Sequence, residues 1–388
     1  MREILSLNVR LSEGGAAQVM ISIHDQLLKW GVTSNLAYGY GPHGDASPKE
    51  DELSGNRLTG KVRMSANYIT HQSLGIDLVS PSSRQIDKFR DLLSRADVIH
   101  LHAIHSYFWK FKDLLKLISE SGIPVVWTMH DSWILTGRCA IPSDCRRWEE
   151  GCGKCPTKSA YPPTKIDFSK QQWQSKREAV KQLGLTNNLT LVSVSDWLAQ
   201  DLAKAGFDNV KVIKNGADAV FWNALKSMNP SPKTTRKGML FINRDLRDRS
   251  KVSVQTLNRL AESDVGLTVI GNNPPEGLNK KIKLIPATSS RFELAQLMSQ
   301  HETLLFTSKT DNFPLTIVEA LIAGMSVRIP QGNVANEFKY FPQVVPYADE
   351  SDLLSSPIPN SVEFNLDFDE FHPEQMASSY LALYRSLA

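Results

Sequence analysis

The run Thr310-Asp311-Asn312-Phe313-Pro314-Leu315-Thr316-Ile317-Val318-Glu319 places two carboxylates on either side of a proline suited to a helix start. Asp311 then lies on a loop, and Glu319 sits about one turn into a helix that Gly324 ends. Such a pair can address one cavity from different depths, each acid accepting hydrogen bonds from neighbouring hydroxyls. Between them, the backbone amides of Asn312, Phe313, Leu315 and Thr316 are candidates for phosphate or hydroxyl oxygens. A second group, Asn243-Arg244-Asp245-Leu246-Arg247-Asp248-Arg249-Ser250-Lys251, begins where an apolar strand ends and offers positive charge to an anion. Gly14-Gly15 precedes the helical periodicity of Val19, Met20, Ile23, Leu27 and Trp30, leaving amides at a positive dipole end for a diphosphate. His130 falls just past the strand-like run Val125 to Met129.

Positioning these groups requires two cores. At 388 residues the chain exceeds what one core usually organises. Apolar runs alternate with helix-length amphipathic segments at Ile4 to Val9, Ser34 to Tyr38, Val98 to His102, Val125 to Met129, Leu189 to Val194 and Val210 to Ile213. That alternation predicts a parallel sheet covered by helices on both faces. The turn-rich stretch Asn229-Pro-Ser-Pro-Lys separates it from a second series at Gly238 to Asn243, Gly266 to Gly271, Lys283 to Ile285, Thr303 to Thr307 and Ser326 to Ile329. Met376, Tyr380, Leu383, Tyr384 and Leu387 predict a closing helix. With 44 Lys+Arg against 41 Asp+Glu, the charge gives no argument for nucleic acid. No run is long and apolar enough to span a bilayer, and Asn8 and Arg10 interrupt any signal-peptide core, so a cytoplasmic location is expected.

The acid-x7-acid segment Asp311 to Gly324 resembles the signature of retaining GT-B glycosyltransferases of family 4. Glu13-Gly14-Gly15, Thr128-Met129-His130-Asp131 and Asn215-Gly216-Ala217-Asp218 follow that family's order, and Asn8-Val-Arg-Leu, Thr136-Gly-Arg-Cys and Tyr161-Pro-Pro-Thr-Lys-Ile-Asp are similar to colanic-acid-type exopolysaccharide enzymes. The resemblance implies two Rossmann-like doubly wound α/β domains facing across a cleft, with the C-terminal helix crossing back to the first. An acceptor-binding domain is expected over 1–222 plus 372–388, with a Cys-rich insertion at 137–160, and a donor-binding domain over 223–371. By the same resemblance Glu319 holds the ribose, Asp311 faces the donor sugar where the family usually has Glu, and His130 approaches that sugar near the leaving group. Arg244 and Lys251, with Arg249 as an alternative partner, grip the diphosphate, and Gly271 borders the base. A metal-independent hexosyl transfer from a UDP-sugar, or secondarily a GDP-sugar, to a polyprenyl-diphosphate-linked oligosaccharide follows, with retention at the anomeric carbon. A GT-B phosphorylase or epimerase, and a noncatalytic nucleotide-sugar-binding or assembly protein, are the alternatives.

All four cysteines fall between Cys139 and Cys155, as Cys139-x5-Cys145-x6-Cys152-x2-Cys155. Four soft ligands with a Cys-x2-Cys knuckle suit a closed structural zinc site, with reduced thiols and disulfides as the alternatives. A zinc-knuckle nucleic-acid binder is disfavoured, since Trp148 is the only aromatic residue among them. His100 and His102 share a strand face without an acid beside them, which points to a core or acceptor role, and His105 with Ser106 and Tyr107 is where an acceptor sugar would be met. Arg57, Lys61 and Arg63, and Lys154, Lys158, Lys165, Lys170, Lys176, Arg177 and Lys181 with Trp173, suit either a solvated face or peripheral docking on an anionic membrane.

Overall fold

The computed structural model of the chain describes residues 3–41, 55–228, 236–248, 251, 253–263, 265–355 and 369–388. It divides into two compact units, Met1–Lys214 with Met376–Ala388, and Asn215–Gln375. The first is built on β1 (Glu3–Asn8), β2 (Thr33–Tyr38), β3 (Gly55–Arg57), β4 (Val98–Leu101), β5 (Val125–Met129), β6 (Leu189–Ser193) and β7 (Val210–Val212). They form one sheet in the order β3-β2-β1-β4-β5-β6-β7. Every pair is parallel, as in the registers Leu7↔Ala37 and Leu7↔Leu101. A parallel sheet is covered on both faces, which is why β4 and β5 are buried at every position and are mostly apolar instead of alternating.

The second unit repeats the plan with β8 (Met239–Asp245), β9 (Leu267–Asn272), β10 (Lys283–Ile285), β11 (Thr303–Leu305), β12 (Ser326–Pro330) and β13 (Val344–Tyr347), ordered β10-β9-β8-β11-β12-β13. Its core gathers Phe241, Leu257, Val269 and Leu305. In each sheet the strand order reverses once, between β1 and β4 in the first and between β8 and β11 in the second. Loops leaving the carboxyl ends of those strands diverge to opposite faces and open the crevice where such sheets bind ligands.

Two departures from the sequence reading concern boundaries. Asn215 to Trp222, expected in the first domain, belongs to the second unit. The amide of Ala217 donates to the Phe371 carbonyl at 3.0 Å, and Asp218 reaches Arg291. The expected linker at Asn229 to Lys233 lies outside the described residues. The closing helix forms over Pro373–Leu387, and from Met376 onward it belongs to the first unit. Tyr380 and Tyr384 are its anchors: both are fully buried, and their hydroxyls meet Thr128 Oγ1 at 2.9 Å and His100 Nδ1 at 2.6 Å.

Candidate functional site

The helix Leu315–Ile322 begins at Pro314 without a side-chain cap and is buried from Ile317 to Ile322, so its apolar sequence follows from its position inside the second unit. Glu319 is the exception on that helix, a carboxylate only 5% exposed. A buried carboxylate needs a counter-charge, and Arg291 supplies it from the first position of the helix Arg291–Gln300. Arg291 Nη2 donates to Glu319 Oε1, while its Nε donates to Asp218 Oδ2 at 2.5 Å. Asp218 also caps the helix Ala219–Ser227, its Oδ1 accepting from the Phe221 amide at 2.9 Å, and the Phe221 ring lies 5.1 Å beneath the guanidinium. Burial raises the Glu319 carboxyl above its ordinary range, and Arg291 opposes that rise. For Arg291, burial works to lower the guanidinium, and Glu319 and Asp218 more than reverse it.

Asp311 lies on the loop after β11 and Lys251 on the loop after β8, the two strands that flank the reversal of order. Lys251 Nζ donates to Asp311 Oδ1 at 3.1 Å and to Oδ2 at 3.3 Å. The Lys251 carbonyl accepts from the Thr307 hydroxyl, which fixes the lysine backbone against the β11 loop. Both side chains keep partial access to solvent, 34% for Lys251 and 21% for Asp311, so they remain available to a ligand in a way that Glu319 does not. Arg244 is exposed at the end of β8, and Arg249 lies outside the described residues. Asn312 and Phe313 are buried, the Phe313 ring packing 5.0 Å from Phe338; Leu315 and Thr316 are half-buried. Gly271 has a steric reason for its identity: a Cβ there would stand 2.3 Å from the Asn243 carbonyl oxygen. That close approach accompanies the irregular register between Ile242 and Asp245 in the β8–β9 pair.

In the first unit Gly14 has φ 88°, a left-handed conformation that favours glycine, and it precedes the helix Gly15–Lys29 with no side-chain cap. The two glycines are exposed. His130, partly exposed after β5, meets His102 Nδ1 through Nε2 at 2.9 Å, with the rings stacked at 5.2 Å. Burial lowers the His130 imidazole to about 4, opposed by Asp131. His100 and His102 are fully buried, which settles them as core residues, and burial holds each well below the ordinary imidazole value. His105 has an acid that spacing did not reveal: its Nε2 lies 2.7 Å from Asp131 Oδ2 and its Nδ1 2.6 Å from Ser106 Oγ. Burial works to raise Asp131, but His105 and the Trp133 amide hold it below the ordinary carboxylate value. Ser106 and Tyr107 both adopt left-handed backbone, a turn fastened by the Tyr107 amide on Asp77 at 3.0 Å.

The four cysteines line one small cavity together with Trp148 and Ser169. Among the described residues no group of three or more His, Cys, Asp or Glu side chains can hold a metal ion. Cys152 Sγ accepts from the Gly137 amide at 3.1 Å and Cys155 Sγ from Arg138 Nη2 at 3.7 Å, while burial pushes the Cys139 thiol up to about 11. The stapling expected of a metal is done by Arg138. Its buried guanidinium donates to the carbonyls of Ala160 at 2.6 Å, Thr157 at 2.7 Å and Pro162, drawing the far side of the insertion onto its start. Lys176 is likewise no surface cation. It is buried, with Nζ donating to the Trp133 carbonyl at 2.5 Å and standing 3.8 Å from that ring's centre, and burial lowers it to about 7.

Two sheets of Rossmann order, with paired acids and cations at the strand-order reversal of the second, define the GT-B class of glycosyltransferases. Residues 13–221 match the sequence model of Glycosyltransferase Family 4, and the chain belongs to that family. It is 30% identical over 346 residues to the putative colanic acid biosynthesis glycosyl transferase WcaC of Escherichia coli (strain K12), covering 86% of this chain and 84% of that one. In fold it is similar to sucrose-phosphate synthase from Thermosynechococcus elongatus, with TM-score 0.62 and 14% identity over 100% of this chain and 99% of that one. An α,α-trehalose-phosphate synthase (UDP-forming) from Burkholderia vietnamiensis shares the fold at TM-score 0.60 and 13% identity over 100% of both chains. Among the described residues no helix is long and apolar enough to cross a membrane.

Proposed function

We propose that the protein transfers a hexose, with retention at the anomeric carbon, from a nucleotide-diphosphate sugar to a polyprenyl-diphosphate-linked oligosaccharide, on the cytoplasmic side of surface-polysaccharide assembly. The observation that carries this reading is the pairing of Lys251 with Asp311 beside the strand-order reversal, with the Glu319 carboxylate held by Arg291 in the same unit. In this reading Glu319 accepts the ribose hydroxyls and Asp311 accepts hydroxyls of the donor sugar. Lys251, with Arg244 or alternatively Arg249, takes the negative charge that grows on the diphosphate as the glycosidic bond breaks. Lys251 then exchanges a carboxylate partner for phosphate oxygens, so donor binding and the freeing of Asp311 are one event.

His130, neutral because of its burial, donates or accepts a hydrogen bond without adding charge near the sugar. The acceptor hydroxyl loses its proton to the leaving phosphate on the same face. Asp311 and Glu319 therefore do not act as the acid and base of a glycosidase. The donor is a UDP-sugar in the first instance, supported by the UDP-forming enzyme of the same fold, and a GDP-sugar in the second. The relationship to the colanic acid enzyme supports an exopolysaccharide acceptor. A thermal-shift panel of nucleotides and nucleotide sugars, followed by product analysis for wild type and Glu319→Ala, tests the reading. Stabilisation by one nucleotide series with transfer that the variant loses supports it; stabilisation without turnover in either protein assigns a noncatalytic nucleotide-sugar binder.

A further inference from the structure

The segment Tyr161-Pro-Pro-Thr-Lys-Ile-Asp, which leaves the cysteine insertion, has no part in the groups that the proposed function uses. The fold fixes its first residue at both ends. Arg138 takes the carbonyls of Ala160 and Pro162, one on each side of Tyr161, and the Tyr161 carbonyl accepts from the Ala140 amide at 2.9 Å. Burial of the hydroxyl end raises the Tyr161 phenol above its ordinary value, and a hydrogen bond with the Ser106 side chain opposes that rise. Ser106 Oγ in turn meets His105 Nδ1, and His105 Nε2 meets Asp131, so the phenol ends a chain of side chains that starts at a carboxylate. Between its two fixed ends the ring is left open, with Tyr161 53% exposed. Exposed side chains ordinarily exchange rotamers within nanoseconds, whereas this one is tied at backbone and hydroxyl alike.

The ring stands at the carboxyl ends of the strands beside the order reversal of the first sheet, since His105 follows β4 and Asp131 follows β5. The turn that presents Ser106 holds left-handed backbone at two successive residues that are not glycine, with φ 74° at Ser106 and 73° at Tyr107. Such backbone persists only where neighbours enforce it. Asp77 does so through the Tyr107 amide, and the Tyr40 hydroxyl through the Ser106 carbonyl at 3.3 Å. The turn buries the Tyr107 ring against Tyr68 and His71, which leaves Tyr161 as the open ring on this side, 6.3 Å from the His105 ring. A small cavity walled by His105, His130, Asp131 and Trp133 joins the chain to His130, the imidazole that the proposed function sets beside the donor sugar.

The charges around the ring specify a ligand. Burial works against the Asp131 charge, but His105 and the Trp133 amide keep the group ionised. Each of its oxygens has accepted one hydrogen bond and has room for another, and the side chain is 22% exposed. Arg10, whose charge also reaches the phenol, is already taken by Glu13 at 3.2 Å, by the Gly41 carbonyl at 3.1 Å and by the Tyr40 ring. An ionised carboxylate beside a committed cation accepts hydroxyls and repels phosphate or a second carboxylate. The face of an aromatic ring is the negative side of its quadrupole, and the C–H face of a pyranose is the surface complementary to it.

We propose that Tyr161 is the specificity-determining residue of an acceptor subsite in the first unit, where a neutral hexopyranose stacks on its ring and gives a hydroxyl to Asp131. The proposal rests on the reading of the protein as a glycosyltransferase and deepens it. It also gives the cysteine insertion a task, which is to carry Tyr161 to the strand ends and hold it there before the sugar arrives, so that little ordering is left for binding to cost.

Saturation-transfer NMR of the full chain with octyl β-D-glucopyranoside, octyl β-D-galactopyranoside and octyl β-D-glucuronide tests the subsite. Saturation is expected on the pyranose protons of at least one neutral glycoside, with the glucuronide bound about tenfold more weakly or not at all. Tyr161→Ala should abolish the pyranose signal. Tyr161→Phe should keep it at an affinity about threefold to tenfold lower, because the ring remains and its anchor on Ser106 is lost. In transfer assays with UDP-glucose, UDP-galactose and GDP-mannose as donors, Tyr161→Ala should raise the acceptor KM about tenfold or more with a smaller fall in kcat. Retention of the wild-type thermal shift with nucleotide shows that each variant is folded. No pyranose saturation in the wild type, saturation of the octyl chain alone, equal saturation of the glucuronide, or a signal that Tyr161→Ala leaves unaltered overturns the proposal. Pyranose saturation that Tyr161→Ala abolishes, without transfer from any donor, rejects the transferase reading alone; transfer with an acceptor KM that Tyr161→Ala leaves unchanged rejects the subsite alone.

Discussion

Arg291 Nε lies 2.5 Å from Asp218 Oδ2, which makes a helix-capping aspartate the second holder of the arginine that pairs with Glu319. The Asn215-Gly-Ala-Asp218 motif, to which spacing alone gives no task, thus reaches the buried acid through one guanidinium. Replacing Arg291 by Met leaves Glu319 buried without a counter-charge. The expected loss is about 3–5 kcal/mol of stability, read by urea unfolding. Arg291→Met/Glu319→Gln should recover at least about 1 kcal/mol relative to the sum of the single variants. Strict additivity would show that the two residues are not coupled.

The role of Asp311 can be separated from that of its partner. Asp311→Asn keeps the shape of the loop but gives up the ion pair with Lys251. Because both side chains are partly exposed, stability should change by less than about 1 kcal/mol. Turnover should fall by about tenfold or more, while affinity for the free nucleoside diphosphate is retained or tightened, since Lys251 no longer has to leave a carboxylate. Nucleotide titration calorimetry with steady-state kinetics checks this, and a parallel loss of nucleotide binding would count against the assignment.

Stability should depend on pH through the histidines around β4 and β5. His130 is lowered to about 4, and His100 and His102 are lowered by burial, whereas unfolded imidazoles titrate at about 6.5. The unfolded chain therefore takes up protons first. This contribution is fully present above about pH 6.5, is lost progressively as pH falls toward 4, and amounts to about 3 kcal/mol for His130. A denaturation midpoint that falls between pH 7 and 5, with a shallower slope in His130→Gln, is expected. The same neutrality predicts that no ionisation of His130 appears in kcat/KM between pH 5.5 and 8.

Arg138 should be more important to the cysteine insertion than any one thiol. Arg138→Met leaves the Pro162 carbonyl buried without its donor and removes those of Thr157 and Ala160, at an expected cost of about 1–3 kcal/mol. Limited proteolysis should then cut within 139–162 before the rest of the chain. Cys145→Ser, at a half-buried position, should leave that protease resistance unchanged.

The alternation of apolar runs with amphipathic segments made both sheets legible, because the central parallel strands, covered on two faces, are written mostly in apolar residues. Asp311 and Glu319 were legible for a similar reason: a proline between them fixes where the helix starts, and the spacing does the rest. Arg291 was not, since it is 28 residues from one carboxylate and 73 from the other, and only the sheet order brings the three together. The histidines show the limit of strand alternation. It places His100 and His102 on one face, but the tyrosines that cover that face come from the last helix. The role of Arg138 was not legible, because a guanidinium collecting carbonyl oxygens leaves no periodic trace.

The burial of Tyr380 and Tyr384 against Thr128 and His100 has a consequence for biosynthesis. The first sheet is completed by a helix that follows the whole second unit along the chain. During translation the first sheet must wait, with the surface around His100 still uncovered, while the whole second unit is synthesised and free to fold. The first unit is therefore completed only after the second has been made, and a chain that stops before Met376 carries the whole second unit beside an uncovered first sheet.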